Sequence, residues 1–206
     1  MRLVVFARAP VPGQAKTRLI PALGAHGAAQ LHRHLVRRAL EVAVASRRGG
    51  LELWCAPDAA HPFFAECAEA FGCSLHAQPT GDLGQRMRVG LEAGLPAILL
   101  GSDAPGLTAE TLRLAAAALE QGRDGVLVPA TDGGYVLIGL ARPAPELFAG
   151  MSWGGPAVLE ETRRRAARLG LDLAEFEPCA DVDVPEDLVH CPRQWLDALQ
   201  ASPRGR

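Results

Sequence analysis

Several features that would assign a sequence to a large functional class are missing from this one. Its 206 residues carry a net charge of −2, so there is no bulk basic field that would attract nucleic acid. The longest apolar run, near residues 95–100, is far shorter than the roughly 20 residues that cross a bilayer. A strand pattern follows Met1 and Arg2 directly, which leaves no room for a signal peptide. We therefore expect a cytoplasmic protein that binds neither nucleic acid nor a membrane.

Cysteine and histidine are also too dispersed to predict a metal centre. The five cysteines form an odd set without a CxxC pair, so we expect free buried thiols rather than disulfides or a zinc site. None of the six histidines has metal-ligand spacing with a second one. His32 and His34, two positions apart, would point apart on a helix. We interpret the histidines as solvated residues of the surface.

What the sequence does contain is an alternation of short apolar runs with longer amphipathic ones. The short runs predict strands at residues 3–7, 51–55, 74–77, 97–100, 125–129, 135–140 and 171–177. The longer runs predict helices at residues 28–46, 62–71, 83–93, 108–120 and 156–169, with a last helix after Pro185. Such alternation is typical of βαβ units in a mostly parallel sheet.

The Thr-Asp-Gly-Gly segment at residues 131–134 interrupts this alternation, because it joins two predicted strands as a hairpin turn does. An antiparallel strand should therefore join the sheet. We expect an α/β fold, a three-layer α/β/α sandwich with a mostly parallel mixed sheet, in one domain over residues 1–200. Residues 201–206 should form a frayed tail.

Charged residues and glycines gather after the predicted strands, where ligands bind in an open parallel sheet. The residues concerned are Arg8, Gly13, Lys16, Arg18, Ser102, Asp103, Asp132, Gly133, Gly134, Asp181 and Asp183. Carboxylates can hold a hard divalent cation that bridges phosphate oxygens. Lysine and arginine can neutralise the phosphate charge that remains. The pattern therefore predicts a phosphate and metal site at one edge of the sheet.

Each residue of this pattern also has a structural interpretation. The alternatives are surface cations for Arg8 and Lys16, helix caps for Asp82 and Asp103, and turns for Asp181 and Asp183. Taken alone, Asp103 would best be explained as the cap of a helix that begins near Pro105. The common location of these residues favours the functional interpretation.

Four segments in this order resemble a known family: RAPVPGQAKTRL, GSDAPGL, DGGYVLIGL and DVDVPEDL. They resemble the bacterial glycosyltransferase-like family once catalogued as a domain of unknown function. That family belongs to the nucleotide-diphospho-sugar transferase superfamily and has the Rossmann-like GT-A fold. It is similar to guanylyltransferases that act on phospholactate or phosphoenolpyruvate, and more distantly to molybdenum-cofactor guanylyltransferases. The match runs from residue 3 to about residue 188.

The resemblance implies a role for each matching position. The loop that embraces nucleotide phosphates corresponds to Arg8, Gly13, Lys16 and Arg18. Arg8, Lys16 and Asp103 would be catalytic, and Ser102 would contact the nucleotide. The implied ligands of Mg²⁺ or Mn²⁺ are Asp103, Asp181 and Asp183. The implied contacts to base or ribose are Gly81, Asp82 and Gly84. The implied contacts to the acceptor are Asp132, Gly133, Gly134, Tyr135 and Trp153.

Two segments depart from the patterns of relatives. Residues 6–10 replace the glycine-rich run that precedes the arginine in pyrophosphorylases. Gly154 and Gly155 replace a hydroxyl pair that usually follows the tryptophan. An acceptor contact of the family is therefore expected to be missing.

The resemblance implies a metal-dependent transferase that uses a nucleotide and a small acceptor, with a homodimer left open. We favour nucleotidyl transfer from a nucleoside triphosphate to a phosphorylated or carboxylate acceptor, with release of pyrophosphate. The alternative is glycosyl transfer from a nucleoside diphosphate sugar. A third interpretation, a nucleotide sensor without activity, is disfavoured by the intact set of Lys16, Asp103 and Asp183.

Overall fold

A seven-stranded sheet forms the middle layer of the protein, in a computed structural model that describes residues 1–201. The strands are β1 (Arg2–Arg8), β2 (Gly50–Ala56), β3 (Ser74–Ala77), β4 (Ala97–Gly101), β5 (Gly125–Pro129), β6 (Tyr135–Leu140) and β7 (Leu173–Glu175). They lie in the order β3-β2-β1-β4-β6-β5-β7. The predicted frayed tail, apart from residue 201, lies outside the described residues.

Six helices are described: α1 (Ile20–Ser46), α2 (Pro62–Phe71), α3 (Leu83–Glu92), α4 (Ala109–Glu120), α5 (Val158–Arg168) and α6 (Arg193–Ala201). One face of the sheet shares a buried core with α1, α2 and α4, and the other face with α3 and α5. None of the described helices is long and apolar enough to cross a membrane.

Side chains alternate between these two cores along each central strand. In β1, Leu3 and Val5 belong to the core under α1, whereas Val4 and Phe6 belong to the core under α3. Both sets are buried, because helices cover both faces of the sheet. This arrangement explains the continuous apolar runs in the sequence and confirms the predicted three-layer α/β/α fold.

The predicted hairpin is also present, and it determines which ends of the strands meet. Strand β6 runs antiparallel to both β4 and β5 and lies between them. In the turn, the Asp132 carboxylate accepts a hydrogen bond from the Gly134 N–H at 2.9 Å. Because β6 is reversed, its first residue, Tyr135, lies at the edge where β4 and β5 end.

Three predicted elements differ most from the structure. Helix α1 begins at Ile20 rather than residue 28, because a first turn precedes a break at Gly24, where φ is 70°. The predicted strand at 171–177 is shortened to β7. The chain after Pro185 first forms a short 3-10 helix, Pro185–His190, and α6 begins only at Arg193. The ring of His34 on α1 stacks on Trp195 of α6, with centroids 5.5 Å apart.

The expectation of free thiols is confirmed. All five cysteines are unpaired and four of them are buried. Burial raises the pKa of the Cys67 thiol to about 11, so this thiol remains protonated and unreactive near neutral pH.

Two leucines on α4 offer a matched test of the packing. Leu112 is fully buried and Leu114 is 50% exposed. Leu112→Ala should lower the free energy of unfolding by about 2–5 kcal/mol, because it removes buried methyl groups and leaves a cavity. Leu114→Ala should change it by less than about 0.5 kcal/mol. Urea denaturation measures both, and equal losses would contradict the packing of α4 on the sheet.

Candidate functional site

A cleft opens at the edge where β1 and β4 end and β6 begins. Its cavity volume is about 390 Å³. Of the predicted site residues, the cleft is lined by Arg8, Ser102, Asp103, Asp132, Gly134, Tyr135, Trp153 and Asp181. Apolar side chains, among them Phe6, Met87 and Leu137, form another part of its wall. The cleft therefore combines charged groups with an apolar surface, as small-molecule sites commonly do.

Lys16, the single lysine of the sequence, lies beside the cleft in the loop that follows β1. Its side chain is only 5% exposed. The ammonium donates to the Val182 carbonyl at 2.6 Å and lies 3.0 Å from Asp103 Oδ2 and 3.6 Å from Asp183 Oδ1. Its backbone has a φ of 48°, which is unusual for a residue other than glycine. The alternative of a plain surface cation is wrong for Lys16, because the ammonium is buried among oxygens.

Asp103 follows β4 and faces the cleft. Burial raises the pKa of its carboxyl, but the charge of Lys16 and the hydrogen bonds from Lys16 and Ser102 outweigh burial and hold that pKa below the usual value. Ser102, itself buried, donates its hydroxyl to Asp103 Oδ1 at 3.1 Å. The capping interpretation of Asp103 is wrong, because α4 begins at Ala109 and Thr108 is its cap.

Asp183 and Arg18 lie at the rim, outside the lining of the cleft. The Arg18 guanidinium donates to Asp183 Oδ2 at 2.6 Å, and the Arg18 side chain is 70% exposed. Asp183 also faces Lys16. Two of the three predicted phosphate-binding cations therefore bind carboxylates in the free protein.

Asp132 and Asp181 line the same cleft as Asp103. Burial and the negative charge of Asp132 raise the pKa of the Asp181 carboxyl above its usual value. Like charges held near one another in this way favour the binding of a proton or a cation. These carboxylates make no salt bridge within residues 1–201.

His32 was predicted as a surface residue, and that prediction is wrong. It lies on α1, is 4% exposed and lines the cleft. Burial lowers the pKa of its ring, although the charge of Asp103 opposes the shift. The sequence did carry a signal, because His32 lies four residues after Ala28 and three before Leu35, both on the buried stripe of the helix.

Arg86 is a second residue that sequence reasoning missed. A recess of about 330 Å³ adjoins the cleft, and both Arg8 and Arg86 line it, together with Thr80. Arg86 donates to the Gly81 carbonyl at 2.9 Å. In the described part of the chain neither guanidinium has a salt bridge, so both charges are available to an anion. The signal in the sequence is the segment GDLGQRM, in which Arg86 follows the predicted nucleotide contacts Gly81, Asp82 and Gly84.

The segment at Gly81 to Gly84 has a clear structural role. Asp82 caps α3 by accepting from the Gln85 N–H at 2.8 Å, while the Gln85 side chain accepts from the Asp82 N–H. The capping interpretation of Asp82 is therefore confirmed. A Cβ on Gly84 would lie 2.6 Å from the Trp153 ring, so glycine there lets the indole pack against α3. The predicted contacts of Gly81, Asp82 and Gly84 with base or ribose stay predictions.

The predicted acceptor residues lie around the hairpin turn. Tyr135 lines the cleft with its ring edge-on to Trp153 at 6.4 Å between centroids, and burial raises the pKa of its hydroxyl. Gly133 has a φ of 95°, and its carbonyl accepts from the Leu159 N–H at 2.9 Å. Gly154 and Gly155 line the cleft beside Trp153. Their contacts with an acceptor stay predictions.

The carboxylates predicted to hold a metal ion are not assembled as a preformed set. Among the described residues, no three His, Cys, Asp or Glu side chains converge on one point. Lys16 occupies the space between Asp103 and Asp183. Asp103 and Asp181 both face the cleft, and one or two carboxylates together with substrate phosphates are the usual ligands of Mg²⁺. The donor set thus fits a divalent cation that binds along with a phosphorylated ligand.

The sequence matches the family model DUF2064, an uncharacterized protein conserved in bacteria, over residues 39–155. Among curated proteins none matches. The structure is similar to a Desulfovibrio desulfuricans G20 protein that carries a provisional name as a nucleotide-diphospho-sugar transferase. The TM-score is 0.81 at 33% identity, over 91% of this chain and 84% of that one.

Two more distant structures share the fold. A nucleotidyl transferase from Methanothermobacter thermautotroptrophicus has a TM-score of 0.61 at 13% identity, over 96% of this chain and 99% of that one. A manganese complex of a Mycobacterium tuberculosis H37Rv protein has a TM-score of 0.50 at 18% identity, over 96% and 98%. Together the comparisons confirm the predicted superfamily and fold class.

The interaction between Asp132 and Asp181 can be measured directly. Asp132→Asn should lower the pKa of the Asp181 carboxyl, because it removes a neighbouring negative charge. The asparagine oxygen can still accept from the Gly134 N–H, so the turn should persist. Carboxyl carbon shifts followed over a pH titration report the change. Asp58→Asn, on an exposed loop, is the control, and an Asp181 pKa that moves equally in both variants would contradict the shared cleft.

Proposed function

This chain belongs to the DUF2064 family, and we propose that it is a metal-dependent transferase that moves a nucleotidyl group from a nucleoside triphosphate to a small acceptor. The acceptor would be a phosphorylated compound or a carboxylate. The observation that carries the proposal is one cleft lined both by carboxylates and by two arginines that make no salt bridge within the described residues. A metal-bound polyphosphate requires this pairing of charges, because it presents oxygen to both metal and cations.

The arginines would bind the phosphates. Arg8 lies between the cleft and the adjoining recess, and Arg86 lines both. Guanidinium groups match the geometry of phosphate oxygens and stay charged at any pH of interest. Lys16 lies 3.0 Å from Asp103 at the edge of the cleft, so its charge would act on phosphate held there. These three cations would neutralise the charge that grows on the leaving pyrophosphate.

Asp103 and Asp181 would hold the divalent cation. When bound, Mg²⁺ or Mn²⁺ would neutralise phosphate charge and orient the triphosphate. Lys16 holds Asp103 ionised, since its charge lowers the pKa of that carboxyl against the effect of burial. Asp132, whose charge raises the pKa of Asp181, would add to the negative field that attracts a cation.

The reaction needs no general base when the acceptor is already ionised. An acceptor oxygen forms a bond to the α-phosphorus while the bond from that phosphorus to the bridging oxygen breaks. The electron pair leaves with pyrophosphate, and no proton is transferred. An acceptor hydroxyl would instead require a base, for which Asp132 is a carboxylate without a salt bridge in the described structure.

One observation favours glycosyl transfer as the second candidate. The Desulfovibrio protein, 33% identical to this chain, is provisionally named as a nucleotide-diphospho-sugar transferase. In that reaction the metal would hold the departing diphosphate, and Asp132 would activate an acceptor hydroxyl.

The two candidates differ in their products. The protein is mixed with Mn²⁺ or Mg²⁺, each nucleoside triphosphate and a panel of phosphorylated and carboxylate acceptors, and pyrophosphate is measured. A parallel panel contains nucleoside diphosphate sugars, and free nucleoside diphosphate is measured. Pyrophosphate that depends on the acceptor supports the proposal. Nucleoside diphosphate from the sugars alone would replace it with glycosyl transfer, and neither product in any mixture would contradict both.

Lys16→Ala tests the catalytic role of the loop. Turnover at saturating nucleotide and metal should fall on the order of 100- to 1000-fold, because a preorganised donor to the leaving group is lost. Arg18→Ala is the matched control, since Arg18 also pairs with Asp183 but is exposed at the rim. Its turnover should fall much less. Steady-state kinetics measure both, with melting temperatures to confirm folding, and near-normal turnover in Lys16→Ala would contradict the assignment.

A further inference from the structure

Two buried side-chain nitrogens have no hydrogen-bond partner within the described residues, His32 Nδ1 and Trp153 Nε1. The other buried polar side chains, Ser46, Ser102 and Thr162, each donate to an oxygen. Leaving a buried polar atom unpaired costs about 1–3 kcal/mol. His32 is the more informative of the two, because its free nitrogen faces a carboxylate in the cleft.

The ring orientation of His32 determines which nitrogen carries the hydrogen. Nε2 lies 2.9 Å from the Arg8 carbonyl, and a carbonyl can only accept, so Nε2 is the donor. In the neutral ring Nδ1 then presents a lone pair. That lone pair faces Asp103 Oδ1 at 3.9 Å. Two acceptors cannot bond to each other, so while the ring is neutral the pair is open to a third group.

Lys16 and Ser102, the two side chains that donate to Asp103 among the described residues, do not supply that group. The three N–H donors of Lys16 face oxygens of Val182, Asp103 and Asp183. The Asp103 oxygen is Oδ2, so Lys16 does not donate to Oδ1. The single hydroxyl hydrogen of Ser102 already points to Asp103 Oδ1. The space between His32 Nδ1 and Asp103 Oδ1 therefore suits a group that comes from solution.

We propose that His32 Nδ1 and Asp103 Oδ1 together bind a first-row transition-metal dication, so that the cleft prefers Mn²⁺ or Co²⁺ over Mg²⁺. Two ligands that each lie about 2.1 Å from one ion are roughly 3.0 Å apart at a right angle and about 4.2 Å apart when opposite. The separation of 3.9 Å between Nδ1 and Oδ1 lies within that range. Imidazole nitrogen is a good ligand for transition metals, whereas Mg²⁺ prefers oxygen.

The fold holds this pair of ligands rigidly. The Arg8 carbonyl orients the imidazole, as a partner of the second ring nitrogen does in other metal sites. Ser102 and Lys16 bind different oxygens of Asp103. Asp181, the second carboxylate proposed for the cation, and Asp132 also line the cleft and add negative charge. Substrate phosphate oxygens or water would complete the coordination.

The inference rests on the proposed function, because it takes the bound metal to be the ion that serves nucleotidyl transfer. Its test uses no nucleotide. Tag-free protein is loaded with Mn²⁺ alone and studied by pulsed EPR, which detects ¹⁴N bound directly to the ion. Wild-type protein should show the nitrogen signal. His32→Gln should lose it, because glutamine can still donate to the Arg8 carbonyl but lacks Nδ1. His26→Gln, the same exchange at an exposed position of α1, is the control and should keep it.

Binding titrations supply the second measurement. Loss of an orienting partner typically weakens metal binding about 10- to 100-fold. His32→Gln removes a ligand itself, so it should weaken Mn²⁺ binding at least as much. Mg²⁺ binding should change less, since its ligands are oxygens. If His32→Gln does not fold, the wild-type signal decides, because His32 is the histidine that lines the cleft.

Three results would overturn the inference: Mn²⁺ bound to wild-type protein without a nitrogen signal, a signal retained in His32→Gln, or no binding of Mn²⁺. The outcome is separate from that of the proposed function. Nitrogen-bound Mn²⁺ in a protein that turns over no nucleotide would support this site and contradict the transfer reaction. Nucleotide turnover with Mn²⁺ bound only by oxygen would do the reverse.

Discussion

The buried ammonium of Lys16 holds together three segments that are far apart in the sequence. It lies among the loop after β1, the end of β4 and the segment after β7, where it contacts Asp103, Val182 and Asp183. A backbone bond from the Val182 N–H to the Asp103 carbonyl reinforces the same junction. A left-handed backbone at a residue with a Cβ costs roughly 1–2 kcal/mol. The structure tolerates this strain because one cation satisfies three oxygens.

The distribution of the remaining charges follows from that junction. Lys16 and Arg18 pair with Asp103 and Asp183, and neither makes a salt bridge with Asp132 or Asp181 in the described structure. Asp132 and Asp181 follow β5 and β7, whereas Arg8 and Arg86 come from β1 and α3. The fold keeps these two groups from pairing within the described residues. Opposite charges that a rigid frame holds apart leave room for a ligand that carries both signs, such as a metal-bound phosphate.

Local sequence patterns predicted most of the fold, but not the contacts that build the site. The alternation of short apolar runs with amphipathic runs predicted every strand and most helix bounds. Asp132 and the two glycines after it predicted the hairpin. Both kinds of pattern depend only on residues that are close in the sequence. The contact of Lys16 with Val182 spans 166 positions, and no local pattern encodes it. His32 lies on the buried stripe of α1, but the polarity of its side chain predicted a surface position. Arg86 was missed because its role depends on the packing of α3 beside β1.

Arg8 shows how closely the two halves of the site are coupled. Its guanidinium lines the cleft and the adjoining recess, and its carbonyl fixes the ring of His32. The carbonyl role belongs to the backbone at the end of β1, so it does not depend on the arginine side chain. In the proposed site, position 8 would orient a nitrogen ligand through its backbone and offer a cation to phosphate through its side chain. Because both functions start from one residue at a strand end, the metal and the phosphates would be bound close to each other.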